Sequence, residues 1–241
     1  MRKRRHPFFN PIVKPVLKVF YKRAKIYSEN DFDIEPTSLL LSNHFAKHGP
    51  MYLTISLPFE YYMWGAKEMV GNYKSRYKYL KETYYIQKRH LNKFFATIFA
   101  GFEAIFSIYF YRGMNVLGTT TDGSMLTTFK KSVEVLNDGF PLLIFPENSS
   151  DGYFEELKEL HKGYLAIDRL YYKKCGIDLN TYPMYVNVKK GIIIIGKPIK
   201  IQELLKEHDE DYVNDLLLKK INDLNKLYIK TNEYENLRRV K

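Results

Sequence analysis

The chain has 241 residues, with 38 Lys and Arg against 27 Asp and Glu, a net charge of +11, and a single cysteine. That length supports one well-buried core. Cys175, alone at a predicted helix end before Gly176 and read as structural, excludes an intrachain disulfide and fits a reducing cytoplasm. The basic balance points to an anionic partner such as nucleic acid, a phospholipid surface or a phosphorylated substrate, although Lys, Ile, Asn and Tyr are also what an AT-rich coding sequence supplies.

Residues 1–30 read as a basic amphipathic segment. Arg2, Lys3, Arg4 and Arg5 lead, and Phe8, Phe9, Ile12, Val13, Val16, Leu17, Val19 and Phe20 follow at spacings of three and four. There is no uninterrupted apolar core or cleavage site for a secretory signal, and the segment is too charged to span a bilayer. The spacing predicts a helix bent near Pro11 or Pro15 that lies on an anionic membrane. The other reading is a helix packed on the domain with solvated lysines.

Residues 31–241 are expected to form one α/β domain, a mixed sheet flanked by helices, because strand and helix patterns alternate. Strands are expected at 38–41, 61–66, 141–145, 182–188 and 191–195. Helices are expected from 122 to 137, capped by Asp122-Gly123-Ser124, from 155 to 174, and from 209 to 227 with Val213, Leu216, Leu217, Ile221 and Leu224 inward. Residues 72–87 read as helix and loop, with interleaved Tyr and Lys. Residues 94–111 are the most apolar stretch. Glu103 near their centre argues against a spanning helix. The expectation is a buried or interface-dipping helix, then a strand ending at Arg112, with Glu103 at the domain surface.

Two apolar strands are each followed by a polar turn. One is Ser38-Leu39-Leu40-Leu41 before Ser42-Asn43-His44-Phe45-Ala46-Lys47-His48-Gly49-Pro50. The other is Leu142-Leu143-Ile144 before Phe145-Pro146-Glu147-Asn148-Ser149-Ser150. Chemistry in α/β folds gathers at the carboxyl ends of strands. With Tyr109-Phe110-Tyr111-Arg112, Tyr182-Pro183-Met184-Tyr185-Val186, Ala66-Lys67-Glu68 and Ile195-Gly196-Lys197-Pro198-Ile199, the ordered set over residues 38–200 resembles the glycerolipid acyltransferases. That family, whose best-known members acylate lysophosphatidic acid, carries Asn-His, four residues, then Asp, and later Phe-Pro-Glu-Gly-Thr-Arg. Here Gly49 stands at the Asp position, and Asn148-Ser149-Ser150 stand in place of Gly-Thr-Arg.

The resemblance implies an O-acyltransferase at the cytoplasmic face of the membrane, peripheral or monotopic. Its donor would be an acyl thioester of CoA or acyl-carrier protein, its acceptor a lysophospholipid or related alcohol, and no bound cofactor is needed. His44 would be the general base. Asn43, Lys67, Arg112, Pro146, Glu147, Asn148 and Ser149 would shape the turns and hold substrate, Arg112 being the candidate for an anionic acceptor. The family's Asp orients the imidazole. Without it, a backbone carbonyl or Asp151 is expected to take that part, or else the chain is a lipid-binding relative without turnover. An added carboxylate at position 49 is expected to raise activity if nothing else orients His44, and to be neutral or harmful otherwise. A metal at His44 and His48 is not expected, since no HExxH or cysteine cluster accompanies them. Nor is a nucleic-acid partner, because a basic nucleic-acid-binding module would rest on charge alone.

Overall fold

The structure is a computed structural model that describes residues 9–29, 33–45, 48–120, 125–148, 154–230 and 238–239. The Arg2–Arg5 cluster, the expected cap at Asp122-Gly123-Ser124, and Ser149, Ser150 and Asp151 lie outside the described residues. The chain is α/β, with a mixed sheet flanked by helices.

A π-helical turn, Phe9–Val13, runs into α1 (Lys14–Phe20), followed by β1 (Lys25–Ser28). Next come β2 (Ser38–Ser42) and α2 (His48–Ser56). The middle of the chain holds β3 (Tyr62–Ala66), α3 (Lys67–Val70), α4 (Tyr73–Tyr79), a π-helix (Leu80–Lys88), α5 (Lys93–Gly113) and β4 (Val116–Thr119). It continues with α6 (Met125–Asn137), β5 (Leu142–Ile144), α7 (Gly163–Cys175), β6 (Asn180–Asn187) and β7 (Ile192–Ile195). The last elements are β8 (Ile199–Lys200), α8 (Ile201–Leu204), α9 (Glu210–Lys230) and β9 (Arg238–Arg239). These elements fall into two compact units: Met1–Val16 with Tyr62–Lys131, and Leu17–Tyr61 with Ser132–Lys241.

The unit containing Leu17–Tyr61 and Ser132–Lys241 carries the strand order β5-β2-β6-β7-β1-β9, with β8 beside β6. β2 has parallel neighbours on both sides, β5 and β6, and all five of its residues are buried. A strand covered on both faces must be apolar throughout, which explains the unbroken Leu39-Leu40-Leu41 run. β6 and β7 pair antiparallel, and β1 lies parallel to β7. β1 corrects the sequence reading, which placed these residues inside the basic amphipathic segment 1–30. Lys25–Ser28 is a sheet strand, so removing residues 1–27 would take out part of the fold along with any membrane contact. α9 packs on β6 and β7 and buries Val213, Leu217, Ile221 and Leu224, which recur at helical spacing.

The expected helix over 155–174 is shorter than its pattern. Residues 155–162 run irregularly, and only Gly163–Cys175 is helical. Leu157 and Leu160 are buried, but the irregular backbone is held by α9: Leu157 N donates to Asn222 Oδ1 at 2.8 Å and Asn222 Nδ2 donates to Leu157 O at 2.9 Å. An outside amide that satisfies both backbone groups removes the need for a helical ladder.

Within α7, Asp168 is fully buried, and its Oδ2 accepts from Gln202 Nε2 at 2.5 Å. Burial pushes its pKa up to about 7; the Gln202 hydrogen bond opposes the rise, and the nearby Asp178 charge adds to it. The folded state therefore keeps a proton that the unfolded chain releases near pH 3.8. This group's stabilisation is complete below about pH 4, falls as the pH rises to about 7, and is level above, a change of about 4 kcal/mol. Asp168→Asn is expected to flatten the dependence of Tm on pH across that window and to melt above the wild type at pH 8. Parallel Tm profiles for the two proteins would refute this assignment.

The unit containing Met1–Val16 and Tyr62–Lys131 pairs β3 with β4 in parallel. Beside them α3, α4, the π-helix and α5 pack on one another. Asn72 and Asn92 cap α4 and α5 by accepting from Ser75 N at 2.9 Å and Phe95 N at 3.0 Å. α5 corrects one expectation. It runs unbroken through Tyr109–Arg112, so the expected strand there is the last turn of a helix. Glu103 is half-buried and accepts from Tyr85 OH. Burial and that carboxylate push the Tyr85 phenol well above its usual pKa, so it stays the donor.

The buried stripe of α5 is Ala96, Ala100, Ala104, Ser107 and Gly113. These small residues let neighbours approach closely. A Cβ on Gly113 would lie 1.7 Å from Phe9 Cδ2, so only glycine seats the Phe9 ring. Arg76 is buried beside this stripe and donates from Nε to Ala104 O at 3.0 Å and from Nη1 to Gly71 O at 2.5 Å. Burial, then the charge of Arg112, lowers its pKa.

Candidate active site

β2 and β5 are adjacent, parallel and in register: Leu39 faces Leu142, Leu40 faces Leu143, and Leu41 faces Ile144. Two chains that leave the same edge at the same level must bring their following turns together. His44 N donates to Glu147 Oε2 at 3.0 Å, and the His44 ring meets Phe145 edge-on, with centroids 4.9 Å apart. Glu147 is buried, and a charge-assisted bond to a backbone amide is stronger for being out of water.

Each turn is anchored on its far side. Asn43 Nδ2 donates to Val186 O at 3.0 Å and Val186 N donates to Asn43 Oδ1 at 2.7 Å. The side-chain amide thus continues the β2–β6 ladder past Ser42. Asn43 is buried with both ends of its amide engaged, so it shapes the turn. After β5, the chain forms a short antiparallel ribbon with residues 159–161. Glu147 bridges Leu160, His161 N donates to Pro146 O at 2.6 Å, and Asn148 N donates to Glu159 O at 3.1 Å. Asn148 Nδ2 also donates to Glu159 Oε2 at 2.9 Å, an exposed contact on the outside of the turn. Pro146 is buried in the ribbon. Ser149 lies outside the described residues.

The residue after His44 carries strain. Phe45 has φ 45°, in the left-handed region that non-glycine residues seldom occupy. Such outliers gather at functional turns, where the surroundings hold them. Gly49 stands where the acyltransferase motif carries Asp, and the structure leaves no room there for a side chain. It is the second residue of α2, and a Cβ there would lie 2.2 Å from His44 O and 2.9 Å from His44 C. The His44 carbonyl occupies the space into which a side chain at position 49 would have to grow.

His48 opens α2, and its Nδ1 lies 3.2 Å from Tyr21 OH. His44 precedes the helix, so the two histidines do not share a helix face. Among the described residues no group of three or more His, Cys, Asp or Glu is placed to hold a metal. Lys67 starts α3 and Arg112 ends α5, both in the unit containing Tyr62–Lys131.

The sequence reading missed Glu159, His161 and Tyr185. Tyr185, on β6, donates to Glu155 O at 2.6 Å, and burial, then the charges of Glu155 and Glu147, push its phenol well above the usual pKa. Glu159 and His161 were hidden because Leu157, Leu160, Tyr164 and Leu165 recur at helical spacing. Only Gly163 signalled a later helix start.

Glu147→Ala removes the acceptor for His44 N. Loss of a buried charged hydrogen bond costs about 2 kcal/mol, or about 4–8 °C in Tm at this chain length. Thermal unfolding of the purified variant measures it, and an unchanged Tm would contradict the joined-turn geometry.

A scan of protein-family models gives no match to this chain, and a search among curated proteins gives none either.

Proposed function

We propose that the chain is an acyltransferase that moves an acyl group from a thioester of CoA or acyl-carrier protein to a hydroxyl of a lysophospholipid or related alcohol at a membrane surface. The observation that carries this reading is the bond from His44 N to Glu147 Oε2, which joins the two motif turns at the carboxyl ends of neighbouring parallel strands. His44 takes the proton of the acceptor hydroxyl as its oxygen bonds to the thioester carbonyl carbon. Collapse of the tetrahedral adduct breaks the C–S bond, and the thiolate recovers the proton from the imidazolium. The products are an ester and a free thiol, and no acyl-enzyme is formed. Glu147 holds the backbone of the base. The parts given to Lys67 and Arg112 in binding an anionic acceptor, and to Ser149, rest on the motif match alone.

A second reading is a lipid-binding protein without turnover. The closed position at Gly49 favours it, because no carboxylate can stand there to orient the imidazole. Changing the third member of a serine-protease triad lowers kcat about ten-thousandfold. Purified protein incubated with acyl-CoA or acyl-carrier protein and a panel of lysolipids separates the two readings. The first expects new diacyl lipid by mass spectrometry. Lipid binding with no ester from any donor would leave the second.

A further inference from the structure

α5 is built the wrong way round for a helix of a water-soluble surface. Its small residues face the protein, while Phe94, Ile98, Phe102, Ile105, Phe106 and Tyr109 face outward, Phe94 and Phe102 at 69% and 68% exposure. At about 100° per residue these six cover an arc of roughly 120° along a helix about 32 Å long. It is the one helix among the described residues long and apolar enough to cross a membrane by length and composition. A continuous apolar face of this size marks an interaction surface.

We propose that this face of α5 docks the protein on an anionic phospholipid bilayer, with the helix lying in the plane of the interface. Charge selects the occupant. Residues 62–131 carry 11 Lys and Arg against 4 Asp and Glu, a net +7, whereas residues 132–241 carry 17 against 18. The cations in the part of the chain that holds the apolar face suit anionic headgroups and oppose face-to-face pairing with a second copy. Lys93 and Arg112 stand exposed at the two ends of α5, and its one carboxylate, Glu103, is drawn aside to Tyr85. The helix cannot span. Arg76 binds Ala104 O, near its midpoint, and α4 also carries exposed Lys74 and Lys78, which would have to enter the hydrocarbon. An apolar face with flanking cations is the pattern of an interfacial helix. The inference does not depend on acyl transfer, since a lipid-binding protein without turnover would dock in the same way.

The test compares the full chain with a Phe94→Ser, Phe102→Ser, Ile105→Ser triple variant. The substituted side chains are exposed, so circular dichroism and Tm are expected to be unchanged. Sedimentation with phosphatidylcholine–phosphatidylglycerol vesicles is expected to weaken about a hundredfold in apparent affinity, and wild-type binding to fall with added salt. Independently, in a Trp64→Phe background that removes the native tryptophan, the tryptophan of a Phe102→Trp variant is expected to be quenched by bromine-labelled lipid. Undiminished sedimentation of the triple variant, or a position-102 tryptophan that bromine-labelled lipid leaves unquenched, would overturn the proposal. So would a wild-type dimer that the triple substitution dissolves while neither protein binds vesicles.

Discussion

Gly49→Asp is expected to damage the protein even though it restores the residue type that the acyltransferase motif carries. The added Cβ would lie 2.2 Å from His44 O and 2.9 Å from His44 C, both backbone atoms. No rotamer relieves a Cβ contact, so either the start of α2 or the His44 peptide must move. The second option pulls His44 N away from Glu147 Oε2, now 3.0 Å distant. Overpacking against backbone with loss of a buried charged hydrogen bond belongs to the most damaging class of single substitutions, about 4 kcal/mol or more. Gly49→Ala separates shape from charge. It carries the same Cβ, so its Tm is expected to fall nearly as far as that of Gly49→Asp, and both are expected to lose any acyl transfer. A Gly49→Asp protein with wild-type Tm and raised turnover would mean that the turn admits the carboxylate and that His44 had lacked a partner.

This outcome revises what the motif alone suggested. From the sequence, Gly49 is a missing carboxylate. In the structure it is where the chain passes close to the His44 carbonyl, a contact no spacing rule reveals. The strands that carry the motifs were legible because burial on both faces demands unbroken apolar runs, as in Leu39–Leu41 and Ile192–Ile195. α9 was legible because one buried face demands a helical period. β1 was not, since Lys25–Ser28 continues an alternation of basic and apolar residues that also suits a helix, and its pairing with β7 joins residues far apart in sequence. α5 was misjudged at its end because the Tyr109–Arg112 motif suggested a strand. Its inward stripe of Ala96, Ala100 and Ala104 becomes a signal only once large residues are allowed to face outward. Asn43 was legible as a residue that shapes the turn, but the partner that engages its amide, Val186, is one that the sequence does not identify.

His44 carries the central claim. Its imidazole is the only base the proposed reaction uses, and an alanine there leaves the buried strand, the Asn43–Val186 bonds and the backbone bond to Glu147 in place. His44→Ala is therefore expected to fold with near-wild-type Tm and to lose the chemistry. A general base contributes about a hundred- to ten-thousandfold in rate. The most direct measurement is thiol release from acyl-CoA or acyl-carrier protein, followed with and without a lysolipid acceptor, for the wild type and His44→Ala. The predicted result is acceptor-dependent release by the wild type and a loss of at least about a hundredfold in the variant, with its far-ultraviolet circular dichroism unchanged. Acceptor-dependent release that continues at the wild-type rate in His44→Ala would contradict it.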